Sequence, residues 1–112
     1  FAVIGSRGWI GPGDSDFVEE SDRKIFEREI MRLKLSYATL SKKPKRLICV
    51  CHYPPKDITD LIASFGTEIC VYGHLHGEQA FKTAIEGNFN GVNYHLCSVD
   101  KLACIPQLIM KV

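Results

Sequence analysis

Val71-Tyr72-Gly73-His74-Leu75-His76-Gly77 closes an apolar run that begins at Ile69, and it places two histidines, one residue apart, between two glycines. The apolar run reads as a buried strand, and the turn after it delivers side chains to a loop. Imidazole is a common ligand for zinc-like ions, and two imidazoles on one tight turn can face one site or two adjacent ones. Gly73 and Gly77 permit backbone angles that other residues avoid and let a metal or an anion approach the main chain. Ordinary loop histidines capping a strand are the plain alternative, since a short motif needs its structural context.

A second stretch upstream has the same form. Leu47-Ile48-Cys49-Val50-Cys51 is a β-type run, it ends at His52, and Tyr53-Pro54-Pro55 forbids its continuation. With the segment Ile58 to Phe65 as a crossover helix, the two strands are expected to lie parallel, which brings both histidine-bearing ends to one edge of the sheet. Open α/β sheets hold ligands at that carboxyl edge. His52, His74 and His76 are therefore the candidate metal ligands. Cys49 and Cys51 lie two apart on the strand, on the face opposite His52, and are expected to be small buried hydrophobes rather than ligands.

Length and composition bound the rest. The chain has 112 residues, with 14 Lys and Arg against 13 acidic residues, enough for one domain, 1–112, burying roughly two thirds of its unfolded surface. A balanced charge excludes general attraction to nucleic acid or to an anionic membrane, and no apolar run reaches bilayer-spanning length. Five cysteines without paired spacing fit free thiols in a reducing, cytoplasmic setting. The apolar start Phe1-Ala2-Val3-Ile4 suggests a piece of a longer polypeptide.

Taken in order, Phe1 to Ile4 reads as a strand, followed by the turn-rich loop Gly5 to Gly13. Gly11 and Gly13 invite a dinucleotide-binding reading, which fails: Asp16 stands where the third glycine belongs, and Asp14 and Asp16 repel a pyrophosphate. Arg7 could grip a phosphate and Trp9 could wall a pocket, making both candidate substrate contacts. From Asp16 to Ser41 the apolar spacing predicts one long amphipathic helix with a solvated charged face and three i,i+4 pairs: Glu19 with Arg23, Glu20 with Lys24, and Arg23 with Glu27. Lys42 to Arg46 is a basic linker. Asp57 or Thr59 is expected to cap the short helix and Gly66 to end it. Phe81 to Ile85 and Val92 to Val99 are expected to form a hairpin around Gly87 to Gly91, with Leu102 to Val112 as a further edge strand. His95 reads as structural, and Ser98 and Asp100 as turn residues.

The two strands ending in His52 and in Gly73-His74-Leu75-His76 resemble the calcineurin-like metallophosphoesterases, binuclear metal hydrolases of phosphate esters. Gly5-Ser6-Arg7-Gly8-Trp9 and His52-Tyr53-Pro54-Pro55 look like a bacterial phosphohydrolase branch of that family. The resemblance covers nearly the whole chain and corresponds to the C-terminal half of such an enzyme, because the Asp-x-His, Gly-Asp-x-x-Asp and Gly-Asn-His motifs that open the family do not occur in this sequence. It implies half of an αββα sandwich: one mixed sheet of five to six strands with one long and one short helix. It further implies that His52 and His74 hold one metal ion and His76 another, the pair being divalent or trivalent manganese, zinc or iron. The remaining ligands would come from an N-terminal half. A phosphate ester is the implied substrate, and the N-terminal half or a dimer mate is the implied cover for an open sheet face. A mononuclear three-histidine zinc hydrolase and a non-catalytic phosphoesterase-like scaffold are the competing expectations.

Overall fold

A computed structural model describes all of Phe1–Val112. Strands β1 (Ala2–Gly5), β2 (Leu47–Val50), β3 (Ile69–Tyr72), β4 (Gly87–Phe89) and β5 (Val92–Leu96) form one sheet in the order β1-β2-β3-β5-β4. The first four positions in that order are parallel neighbours, and β4 joins the β5 edge antiparallel. This is the expected mixed α/β sheet, with β2 and β3 paired in parallel.

Helix α1 (Glu19–Ala38) follows β1, α2 (Thr59–Ser64) links β2 to β3, and α3 (Glu78–Phe81) is a single turn after the histidine loop. Side-chain alternation sorts the sheet into two faces. Ile4, Cys49, Cys70 and Tyr94 are lateral neighbours in register. With Leu47, Tyr72, Val92 and Leu96 they pack on Leu33 of α1 and Ile62 of α2, and this layer is the core. Burying each such side chain contributes roughly 1.5–3 kcal/mol. The cysteines are all free, and Cys49, Cys51 and Cys70 are buried, as expected of small core hydrophobes. Contacts with Cys49 and Cys51, reinforced by burial, push the Cys70 thiol far above its ordinary range.

The second face carries Val3, Ile48 and Ile69 in register in one row, and Val50, Val71 and His95 in the next. Val3 and Val50 are exposed, whereas Ile48 and Ile69 are buried. The C-terminal segment lies on this side. Gln107 Nε2 meets His95 Nδ1 at 3.1 Å, and the Lys111 carbonyl accepts from Arg46 Nη1 at 2.8 Å, so the tail runs from β5 towards the start of β2. No helix is long and apolar enough to cross a membrane.

Several sequence expectations are corrected. The long helix is shorter at both ends than 16–41. It starts at Glu19 because Val18 still has extended angles, and of the three charge pairs Glu19 with Arg23 forms, at 2.9 Å. Its charge is not all solvated: Asp22 and Glu29 are buried beside Phe26 and Leu33. Residues 81–85 are not a hairpin strand. The hairpin turns at Asn90-Gly91, both with positive φ, so its first strand is Gly87–Phe89. The segment 102–112 forms no strand, because Ala103 and Cys104 take left-handed angles and the chain turns across the sheet instead of along it. Neither Asp57 nor Thr59 caps a helix. Asp57 Oδ2 accepts from the Gly13 N–H at 3.2 Å, and a Cβ at Gly11 or Gly13 would overlap its carboxylate. Those two glycines therefore close a loop on Asp57, with no phosphate role needed to explain them.

Candidate metal centre

Because β1, β2, β3 and β5 run parallel, every loop after them emerges at the same edge. His52 follows β2, and His74 and His76 follow β3. The Gly73 N–H donates to the His52 carbonyl at 3.1 Å, and the His52 and Tyr53 N–H groups both donate to the Arg7 carbonyl at 3.0 Å. Three loops are thus stitched together through the main chain before any side chain is considered.

His52 Nε2 and His74 Nδ1 lie 3.2 Å apart, with their rings at 75°. Two ring nitrogens bound at about 2.1 Å to one zinc-like ion, subtending about 100° there, are about 3.2 Å apart. An imidazole–imidazole hydrogen bond describes the same pair and leaves the same atoms at ligand spacing. Burial, then the neighbouring His52 and His76, hold the His74 imidazolium form down, while Asp14 acts in the opposite sense. A ring that resists protonation keeps its lone pair for a ligand. His74 itself has φ +71°, so the strained position in the motif is the histidine, and Gly77 (φ +88°) takes the second left-handed angle. Gly73 does not adopt one.

His76 does not join this pair. Its Nδ1 meets Asp100 Oδ1 at 2.8 Å, and Asp100 Oδ2 accepts from the Gly77 N–H at 2.9 Å. These contacts, the one to His76 first, hold the Asp100 carboxyl below the usual aspartate range. No group of three or more His, Cys, Asp or Glu side chains gathers where one ion could touch them all. The residues fit one two-nitrogen half-site and one separate histidine.

Arg7 and Trp9 stand at the same edge but are committed elsewhere. Arg7 Nε is 3.7 Å from the buried Glu29, and its guanidinium lies 4.7 Å from the Trp9 ring centroid. Trp9 Nε1 donates to Asp22 Oδ1 at 3.0 Å, and the slot it lines with Tyr53, Phe26 and Pro55 has only about 10 Å³ of room, space for about one water. A roomier cavity, about 260 Å³, opens beside His74 and is lined by Asp14, Asp16, Lys56, Asp57 and Thr83 among others.

Two neighbours of the site escaped the sequence reading. The Tyr53 ring packs against His74 at 37°, with centroids 4.3 Å apart, and lies 4.8 Å from the Trp9 ring centroid, forming an aromatic wall. Asp100 follows β5, and only the pairing of β5 with β3 puts it beside His76. His95, expected to be structural, lies on the second sheet face and contacts the tail. No protein-family model, characterised protein or solved structure matches the chain.

Proposed function

We propose that this chain supplies part of a metal-dependent phosphate ester hydrolase, with His52 and His74 holding one ion and His76 contributing to a second. The observation that carries this reading is the 3.2 Å separation of His52 Nε2 and His74 Nδ1 at the carboxyl edge of a parallel sheet. Such ions, manganese, zinc or iron, supply Lewis acidity towards a phosphoryl oxygen and an acidified water. The chain's own residues orient and shield: Tyr53 limits the motion of the His74 ring, and the cavity lined by Lys56 and Thr83 admits the ester's organic group. Carboxylate ligands of the kind the resemblance implies would come from an N-terminal half of the same protein. The part of the second sheet face that the tail leaves open, with Val3 and Val50 exposed, is where that half or a partner copy would dock. The three-histidine mononuclear reading draws less support, because His76 turns to Asp100.

The test is metal uptake by the purified protein, read by elemental analysis after gel filtration. One ion per chain is expected for the wild type, with strong loss in both His52→Ala and His74→Ala. Aryl phosphate hydrolysis by these 112 residues alone is expected to be negligible. Uptake unchanged in both variants would overturn the ligand assignment.

A further inference from the structure

His76 and Asp100 are 24 positions apart in sequence and are joined by the order of the strands, not by local chain geometry. Asp100 spans two groups of one loop, the His76 ring and the Gly77 N–H, with one carboxylate oxygen for each. An ionised carboxylate can only accept, so Nδ1 is the donor. A neutral imidazole protonated at Nδ1 carries its lone pair on Nε2. Flipping the ring would forfeit a charge-assisted bond. Both side chains are well exposed, at 63% and 41%, so the pair contributes little to stability by itself. What it specifies is which nitrogen is free.

We propose that Asp100 is a positioning residue: it locks His76 as the Nδ1–H tautomer and presents Nε2 as a donor atom at the sheet edge shared with His52 and His74. The ring orientation and tautomer stand on these contacts alone, while what Nε2 then meets rests on the metal reading above. The arrangement differs from that of His74, which turns Nδ1 towards its neighbour. Carboxylates that accept from the far nitrogen of a ligating histidine fix its tautomer and strengthen the near nitrogen as a donor.

The experiment is the ring ¹⁵N spectrum of the chelator-treated protein at about pH 8, above the ordinary histidine range of about 6.5, with His95 as the internal reference. Wild type is expected to show His76 as Nδ1–H. In Asp100→Asn the amide oxygen can keep the Gly77 N–H while its NH₂ donates to Nδ1, so the ring nitrogens are expected to exchange roles to Nε2–H. In Asp100→Ala a mixture is expected. A wild-type ring found mainly as Nε2–H overturns the proposal without any variant, and so does a tautomer ratio unchanged in whichever variant folds. Zinc alone, titrated into wild type and Asp100→Asn, is read separately. Because His76 is a single ligand apart from the His52–His74 pair, zinc there is read from the shift of its own ring ¹⁵N signals: the apparent affinity is expected to be roughly 10- to 100-fold weaker in the variant, and an equal response overturns the positioning role. No zinc uptake by wild type, with the tautomer result retained, removes the metal reading and leaves the lock between Asp100 and His76 in place.

Discussion

At His74 the backbone sits at φ +71°, where a side chain's Cβ crowds the following carbonyl. Histidine tolerates this region better than branched residues, yet the position still stores strain. The motif thus places an unfavourable angle on the very residue whose Nδ1 must turn towards His52, and the loop bonds from Gly73 to His52 hold it there. Two variants isolate the strain. His74→Ala and His74→Gly both delete the ring and its contact with Tyr53, so their difference reports the backbone. The alanine variant is expected to be the less stable of the two by about 1 kcal/mol, measured by urea denaturation. Equal stabilities would mean that the loop relaxes once the ring is gone.

Helix α1 starts without a side-chain cap on Val18. Asp22, one turn in, does that work: Oδ2 accepts from the Val18 N–H at 2.8 Å and Oδ1 from Trp9 Nε1 at 3.0 Å. One carboxylate therefore both starts the helix and ties it to the loop after β1. The Trp9 bond first, then the Val18 N–H, hold its carboxyl below the ordinary aspartate value. A folded-state value below the unfolded one means that the unfolded chain binds more protons as pH falls. The stabilisation is complete above the unfolded value, about 4, and is lost as pH falls through the lowered folded one. Asp22→Asn is expected to melt at a lower temperature than wild type at pH 7, with the gap narrowing between about pH 5 and pH 2. A gap independent of pH would show that the carboxylate's charge is not what anchors the helix.

On the scale of the molecule, the sheet has one face covered by α1, α2 and the segment carrying Phe81, Ala84 and Ile85, and a second crossed by the tail. Ile48 and Ile69 are buried on that second face while Val3 and Val50 remain open, and the tail that crosses it carries half-buried Ile109 and Met110. Removing residues 105–112 is expected to uncover both isoleucines, raising the binding of a hydrophobic dye and promoting self-association, read by fluorescence and sedimentation. A truncated chain that stays monomeric and dye-silent would show that the isoleucines are covered some other way.

The local code was legible where chemistry repeats along the chain. Apolar runs ending at His52 and Gly73 marked two strands, and their parallel pairing followed from the helix between them, so the sheet edge holding His52, His74 and His76 could be placed in advance. The hairpin was legible as well, though its first strand was set too early: Asn90-Gly91, not the whole polar stretch, is the turn. Other features depend on residues distant in sequence. Asp22 and Glu29 look like solvated helix charges until the loop from β1 folds over them, supplying Trp9 to one and Arg7 to the other. Asp100 looks like a turn residue until β5 pairs with β3. Periodicity decides which face of an element is apolar, because that follows from backbone geometry alone. Which polar groups meet is decided by strand order, because a hydrogen bond between side chains 24 residues apart exists only after the sheet has assembled.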